Sequence, residues 1–199
     1  MSQENLKADP IEQFIEIFEQ AKAASHNDAT AMVLSTCNSH GQPSGRVVLL
    51  KDVTPEGFIF YTNYLSRKAR DMDDNRKIAL TFHWPEIGVQ VRIEGTITKT
   101  SPATSDRYFA TRPRDSQLGA WASEQSEPLA SRQALLDRVQ KLDQQYAAAP
   151  VPRPPNWGGY LVQPDAIEFW HNGDFRLHDR FLYTRLPSSE QWTIERLNP

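Results

Sequence analysis

Apolar residues near the start of the chain recur at helical spacing. Four of them fall on one face of a helix, namely Ile11, Phe14, Ile15 and Phe18. Asp9 can cap this helix and Pro10 suits its first position. A helix is therefore predicted over residues 9–24, with its apolar face packed against the rest of the protein.

Short apolar runs divided by glycine and proline turns follow, a pattern typical of an antiparallel sheet or barrel. The runs predicted as strands cover residues 30–36, 45–50, 58–62, 77–84, 89–99, 158–162, 166–170, 181–185 and 192–196. Helices are predicted after a Ser66 cap, over 102–110 and over 131–146. The predicted fold class is mainly β with helices (α+β), an antiparallel β-barrel with helices around it. All 199 residues are expected to form one domain with a flexible N-terminus over residues 1–7.

Composition and charge narrow the function classes. The net charge of −3 and the pI near 6.0 do not favour a nucleic-acid partner, so phosphate binding would need local clusters of cations. The single cysteine, Cys37, cannot form an internal disulfide, and no Cys/His spacing suggests a metal site. No apolar run approaches the roughly 20 residues of a membrane span. A soluble, cytoplasmic protein without a membrane partner is therefore expected. The sequence also lacks the glycine-rich nucleotide-binding motifs and the nucleophile elbow of the α/β-hydrolases.

Two clusters of cations lie beside predicted strands. Arg46 and Lys51 bracket an apolar run, but a period of two points them to opposite faces unless a bulge intervenes. Solvated strand ends are the alternative interpretation. Arg67 and Lys68 follow Ser66 in the first turn of a helix, where free N–H groups and two cations favour a phosphate. A plain surface segment is the alternative there.

Two further clusters lie in the second half of the chain. Pro113 should end a helix near Arg112, which places Arg112 and Ser116 around a turn, although Asp115 or Ser116 could instead cap the next helix. Near the end, an Asn-Gly hairpin signal is followed by three basic residues at alternating positions. They are Arg176, His178 and Arg180. On a strand they would share one face, which favours an anionic or electron-rich ligand; a charged edge strand is the alternative.

These motifs together resemble the pyridoxine/pyridoxamine 5′-phosphate oxidases. The resemblance runs from about residue 8 to 199 and rests most on E-F-W followed by R-L-H-D-R within residues 167–180. It implies an FMN-binding split barrel that works as a homodimer with flavin sites at the subunit interface. The implied reaction transfers hydride from substrate C4′ to the flavin and converts pyridoxine or pyridoxamine 5′-phosphate to pyridoxal 5′-phosphate. Oxygen is then reduced to hydrogen peroxide.

The resemblance also implies roles for individual positions. Those matching flavin-binding residues are Arg46, Tyr61, Thr62, Arg67, Lys68, Gln90, Gln125, Ser126, Trp170 and Arg180. Those matching the clamp on the substrate phosphate are Lys51, Tyr108, Arg112 and Ser116. Arg176 and His178 match catalytic and substrate-binding residues around the pyridine ring. Arg176 is expected to orient and steer the reacting carbon, and His178 to bind substrate or handle a proton.

Two departures from the family pattern leave other functions open. The first departure is that only residues 1–7 precede Ala8, whereas family members often carry a longer arginine-rich segment there that can cover the substrate. The second is that His171 replaces the usual glutamine after E-F-W. One rival is an FMN oxidase of the same superfamily, such as a phenazine-biosynthesis relative, which needs no phosphate clamp. Others are a non-catalytic flavin or pyridoxal-phosphate carrier and a β-barrel interaction domain.

Overall fold

The structure is a computed structural model that describes residues 6–24, 27–186, 189 and 191–199. Most of the predicted flexible N-terminus, residues 1–5, lies outside the described residues. Lys7, the last residue of that segment, makes two hydrogen bonds. Its N–H donates to Gln13 Oε1 (3.0 Å) and its carbonyl accepts from the Tyr183 hydroxyl (2.9 Å). The chain is thus tied to the sheet just before the first helix.

The described residues form one antiparallel sheet with helices around it. The strands are β1 (Ala31–Cys37), β2 (Pro43–Leu49), β3 (Asp52–Thr54), β4 (Gly57–Asn63), β5 (Lys77–Trp84), β6 (Val89–Lys99), β7 (Trp157–His171), β8 (Asp179–Arg185) and β9 (Trp192–Leu197). The helices are α1 (Pro10–Ala24), α2 (Arg67–Asp74), α3 (Pro102–Ala110), α4 (Arg114–Ala122) and α5 (Arg132–Gln145). None of the helices in this part of the chain combines the length and apolar character that a membrane span requires.

The strand order is β2-β1-β5-β6-β7-β4-β3, and β8 and β9 continue from the second half of β7. Helix α1 packs on this sheet through Phe14, whose ring lies edge-on to Phe58 of β4 (4.8 Å between centroids) and Phe82 of β5 (5.0 Å). Burial of these rings supplies much of the core, because each removes a large apolar area from water. The prediction of a mainly β fold with helices is confirmed.

The apolar face of α1 differs from its prediction at one residue. Ile11 and Phe14 are buried as expected, but Ile15 is 41% exposed. Ile17 and Ala21 lie in the core instead. The reason is geometric, since successive residues turn by about 100° and Ile15 therefore points away from the face that Phe14 defines.

Strand β7 replaces two predicted strands. Residues 158–162 and 166–170 belong to one continuous strand of 15 residues, although Pro164 lies between them. The strand tolerates this proline because its pairing with β6 shifts register between Glu94 and Gly95, opposite Pro164. A Cβ on Gly95 would lie 2.2 Å from the Gln163 carbonyl oxygen, so this close approach requires glycine. The first half of β7 pairs with β4 and the second half with β8.

Candidate functional site

A cavity of about 820 Å³ lies between β2, β4 and the helices that follow β6. Its lining includes predicted site residues from segments that are far apart in the chain. They are Arg46, Lys51, Tyr61, Thr62, Lys68, Tyr108, Arg112, Ser116 and Gln125. The structure therefore brings together the residues predicted to bind the substrate phosphate and part of those predicted to bind the flavin.

Arg46 and Lys51 both line this cavity, and of the two Arg46 is half-buried whereas Lys51 is exposed, as a solvated strand end would be. Strand β2 stops at Leu49, so the alternation of side chains is broken before Lys51. Two residues fix the position of the Arg46 guanidinium: Nη1 donates to Thr36 Oγ1 (2.7 Å), and Asp71 Oδ2 lies 3.7 Å from Nη2. Desolvation nevertheless lowers the pKa of Arg46.

Lys68 is a half-buried cation whose hydrogen-bond partners are all neutral. Its ammonium group donates to Gln125 Oε1 (2.8 Å), Thr62 Oγ1 (3.1 Å) and Ser66 Oγ (3.2 Å). Burial, reinforced by the positive charge of Arg46, lowers the pKa of Lys68 to about 8. An anion in the cavity would reverse both effects, since a neighbouring negative charge favours the protonated form. Lys68 and Arg46 therefore form a site suited to a phosphate.

The start of α2 is organised differently from its prediction. Ser66 occupies the position before the helix, but its hydroxyl donates to the Asn63 carbonyl (2.8 Å) instead of capping α2. The Arg67 N–H donates to Ser126 Oγ (3.2 Å). Ser126 has a positive φ of 78°, a conformation that non-glycine residues rarely adopt. The predicted flavin positions at Arg67 and Ser126 are thus in contact, beside Lys68.

Arg112 also lines the cavity, at the turn between α3 and α4. Its guanidinium carbon is 4.7 Å from the centre of the Trp157 ring and 5.5 Å from that of Phe109. Its Nη1 is buried and has no hydrogen-bond partner, and burial lowers the pKa of Arg112. No side-chain N–H of Arg112 has an acceptor among the described residues, and Arg112 lines the cavity, so a bound anion can accept from the N–H groups that face it.

The turn after Arg112 excludes the alternative interpretation in which Asp115 or Ser116 caps the next helix. Pro113 occupies the cap position of α4, which begins at Arg114, and no side chain caps it. Both residues instead lie in the first turn, and Ser116 lines the cavity. Proline suits the boundary because it fixes φ and has no N–H to satisfy.

Three aromatic rings form one wall of the cavity. Tyr61 and Tyr108 stack with 3.9 Å between centroids and 9° between planes. Trp157 lies nearly parallel to both, at 5.4 Å from Tyr61 and 6.2 Å from Tyr108. The stack joins a predicted flavin residue to a predicted substrate residue. Sequence reasoning missed Trp157, and its only signal was a tryptophan next to a Gly-Gly pair that allows close packing.

The remaining predicted flavin residues form a separate group. Gln90 pairs with Trp170 across β6 and β7, and Trp170 pairs with Arg180 across β7 and β8, so the three share one face of the sheet. Arg180 Nε donates to the buried carboxylate of Glu168 (2.7 Å). None of the three lines the cavity, which meets β7 at its other end, through Trp157.

The prediction that Arg176, His178 and Arg180 alternate along a strand is wrong. Arg176 ends a short 3₁₀ turn, Asp174–Arg176, and β8 begins only at Asp179. Arg176 and Phe175 have positive φ values of 64° and 57°. The turn closes tightly on Gly173, whose N–H donates to His178 Nδ1 (3.2 Å). These local contacts replace the ladder that a strand would have formed.

His178 still lies next to the flavin group, because its ring centre is 4.5 Å from that of Trp170. His171, the departure from the family pattern, lies at the end of β7 opposite Asp179. Its Nε2 is buried without a hydrogen-bond partner, and burial lowers its pKa. The second group thus consists of Gln90, Trp170, Arg176, His178 and Arg180, all remote from the cavity of the same chain.

Comparisons with known proteins match both halves of the chain. A family model described as pyridoxamine 5′-phosphate oxidase matches residues 18–146. A second, described as the pyridoxine 5′-phosphate oxidase C-terminal dimerisation region, matches residues 157–199. Proteins named pyridoxine/pyridoxamine 5′-phosphate oxidase from Rubrobacter xylanophilus and Myxococcus xanthus are each 50% identical to this chain. The alignments cover 100% and 96% of this chain, and 91% and 92% of the relatives.

Solved structures agree on the fold. PhzG from Burkholderia lata, in complex with tetrahydrophenazine-1-carboxylic acid, superimposes with a TM-score of 0.92 at 29% identity, over 98% of this chain and 95% of that one. A pyridoxamine 5′-phosphate oxidase-related, FMN-binding protein from Nostoc punctiforme has a TM-score of 0.76 at 18% identity, over 98% and 100% of the chains. The second likeness shows the fold alone. The expected split barrel is confirmed.

Proposed function

The chain belongs to the pyridoxamine 5′-phosphate oxidase family, and from that premise we propose that it oxidises pyridoxine or pyridoxamine 5′-phosphate to pyridoxal 5′-phosphate. Family membership supports FMN as the cofactor. Molecular oxygen is the proposed acceptor and hydrogen peroxide the second product. The cytoplasmic location and the single-domain organisation stay predictions.

The observation that carries the proposal is the presence of two cationic subsites in one cavity. Lys68 and Arg46 form the first, and Arg112 and Lys51 belong to the second. Lys51, Lys68 and Arg112 form no ion pair with a carboxylate among the described residues. Each subsite thus keeps at least one cation without a carboxylate partner, which suits a phosphorylated cofactor together with a phosphorylated substrate, because phosphate monoesters are close to dianionic at neutral pH.

The residues of each subsite have complementary roles. Lys68 and Arg46, which line the cavity, hold the cofactor phosphate, and Arg67 and Ser126 are joined by a hydrogen bond next to Lys68. Bound FMN supplies the electron acceptor that no side chain of the protein can provide. The clamp of Lys51, Tyr108, Arg112 and Ser116 fixes the substrate through its phosphate. The protein contributes orientation and anion binding, which can account for a large share of rate acceleration.

A homodimer completes this site. The C-terminal dimerisation region at residues 157–199 supports the homodimer, and it contains Trp170, Arg176, His178 and Arg180. These residues lie at the end of β7 remote from the cavity of their own chain. We infer that each cavity receives them from the second copy, so that Arg176 orients the pyridine ring and His178 binds it or handles a proton.

The shared site can be tested by mixing two inactive variants, Lys68→Met and Arg176→Ala. In a mixed dimer one site carries both substitutions and the other carries neither. After random exchange of subunits, about a quarter of the wild-type activity is expected to return. No return of activity, with exchange verified by differently tagged chains, would show that each chain uses its own residues.

The reaction is tested with FMN-loaded protein under air, with pyridoxal 5′-phosphate and peroxide followed together. Stoichiometric formation of both from pyridoxine or pyridoxamine 5′-phosphate over many turnovers supports the proposal. Arg112→Ala is expected to weaken substrate binding with FMN retained, while Arg114→Ala serves as the matched control because Arg114 pairs with Asp143 on the surface (2.9 Å). Bound FMN without turnover would favour a carrier.

The phenazine-type oxidase is distinguished by its substrate. Turnover of a tetrahydrophenazine carboxylic acid but of neither vitamin phosphate would replace the proposed reaction with that rival. Unphosphorylated pyridoxine is the second comparison, since it lacks the group that the clamp would hold. Equal efficiency with and without the phosphate would remove the proposed role of the second subsite.

A further inference from the structure

We propose that Trp157 is a positioning residue for the substrate phosphate: its ring holds the Arg112 guanidinium in place and leaves the N–H groups of that guanidinium free for the anion. The inference rests on the proposed function, because it assigns Arg112 to the phosphate clamp. It extends that function to a residue that lies outside the clamp itself.

The contacts of Arg112 carry the argument. Its guanidinium carbon lies 4.7 Å from the centre of the Trp157 ring, within the range of a cation–π interaction. Tryptophan is the most effective partner for such an interaction. No ion pair or side-chain hydrogen bond of Arg112 is found among the described residues, and its buried Nη1 has no partner. Aromatic faces, not carboxylates, therefore hold this cation.

Two other arginines of the predicted site show the alternative arrangement. Arg180 donates from Nε to the Glu168 carboxylate at 2.7 Å, and Arg46 lies 3.7 Å from Asp71. A carboxylate neutralises the charge of the guanidinium and occupies some of its N–H donors. A ring face does neither, because it attracts the cation through its quadrupole without accepting its in-plane N–H groups. Arg112 thus has no carboxylate to neutralise it, and no acceptor among the described residues competes with a ligand for its N–H groups.

Trp157 is itself rigid, as a positioning residue must be. It is only 6% exposed, and its ring is nearly parallel to Tyr61 and Tyr108. The backbone that follows is packed as closely, since a Cβ on Gly159 would lie 2.8 Å from Cε1 of Tyr61. The guanidinium is therefore preorganised, and little side-chain entropy is lost when the phosphate binds.

Replacing the ring should weaken the binding of phosphate more than the binding of FMN. For Trp157→Leu we expect the KM for pyridoxine 5′-phosphate and the inhibition constant of inorganic phosphate to rise roughly tenfold, and for Trp157→Phe roughly threefold. The kcat/KM for unphosphorylated pyridoxine should change much less. The affinity for FMN should stay within about twofold, because Lys68 and Arg46 hold its phosphate.

The experiment uses the FMN-loaded protein and measures inhibition by inorganic phosphate together with KM for both substrates. Trp121→Phe is the matched control, since Trp121 belongs to the same aromatic cluster but does not contact Arg112. Melting temperatures of all variants identify general damage. If wild-type protein oxidises neither vitamin phosphate, the proposed function fails, and direct binding of inorganic phosphate still tests the role of Trp157.

A double-mutant cycle with Arg112→Lys keeps the test decisive if Trp157→Leu does not fold. Lysine lacks the planar group that stacks on the ring, so Trp157→Phe should have little further effect on phosphate binding in that background. Such coupling supports the proposal. Additive effects, or equal losses with phosphorylated and unphosphorylated substrates, would overturn it and leave Trp157 with a purely structural role.

Discussion

Raising the pH from 7 to 9 is expected to weaken FMN binding, because Lys68 loses its proton in this range. Burial, together with the charge of Arg46, lowers the pKa of Lys68 to about 8 in the cofactor-free protein. A bound phosphate favours the charged ammonium and raises that pKa again. Above pH 8, binding must therefore be accompanied by uptake of a proton, and the Kd for FMN should rise with pH.

The size of the effect follows from the fraction of Lys68 that is protonated. One pH unit above a pKa, about a tenth of a group carries its proton, so the Kd at pH 9 can rise by up to about tenfold. Partial solvation of Lys68 reduces its interaction with the phosphate, and about threefold is the lower expectation. The phosphate itself contributes no slope, because its second pKa lies near 6.

The same pKa predicts the opposite trend for stability. In the unfolded chain Lys68 keeps its proton up to an ordinary pKa of about 10.4. Between pH 8 and that value the unfolded state binds more protons than the folded state, so this group makes the cofactor-free protein more stable as pH rises. As the pH rises above 8, the affinity for FMN should therefore fall, while the contribution of Lys68 to the melting temperature of the cofactor-free protein should increase.

Quenching of FMN fluorescence at pH 7, 8 and 9, at constant ionic strength, measures the affinity. Riboflavin, which has no phosphate, should show no comparable slope. Lys68→Arg should keep FMN affinity at pH 9, since arginine stays charged. The reasoning is refuted if riboflavin shows the same slope as FMN, or if Lys68→Arg leaves the slope unchanged.

Two further predictions concern packing. Phe14→Ala should reduce the free energy of unfolding by about 3–5 kcal/mol, because the ring is fully buried. Ile15→Ala, on the exposed side of α1, should reduce it by well under 1 kcal/mol. Urea denaturation of the two variants measures the difference. Gly159→Ala should cost about 1–3 kcal/mol, because its Cβ would lie 2.6 Å from Thr100 Oγ1. Gly119→Ala in α4 should instead be neutral or stabilising, because its added Cβ would meet nothing within 4 Å. Similar melting temperatures for the Gly159→Ala and Gly119→Ala variants would contradict this account.

Local patterns predicted the elements of this fold well where one rule acted alone. Strands β5 and β6 have the predicted bounds, because each alternates cleanly between turns. Helix α3 also begins at its predicted residue, where the Ser101 hydroxyl accepts from the Thr104 N–H. Prediction failed where tertiary contacts overrode the local signal. Pro164 did not divide β7, because β7 accommodates it beside a bulge at Asp165, where the register with β6 shifts.

The site shows the same division between chemistry and geometry. The sequence predicted which residue types could hold phosphates, but not that Arg112 would be held by Trp157, since that contact joins residues far apart in the chain. The sequence also predicted Arg176 to lie on a strand, because the alternation of basic residues at 176, 178 and 180 is a local pattern typical of strands. The positive φ of Arg176 belongs to the tight turn around Gly173, which periodicity does not encode.

Strand β7 explains why dimerisation and activity should be linked. Its first residue, Trp157, contacts Arg112 of the proposed phosphate clamp, and its other end carries Trp170, which shares a face with Arg180. A straight strand of this length spans tens of ångströms, at about 3.3 Å per residue, so one small ligand cannot contact both ends in the same chain. If both ends serve one reaction, a second chain must supply one of them. Weakening the dimer should therefore reduce activity even when every site residue is intact.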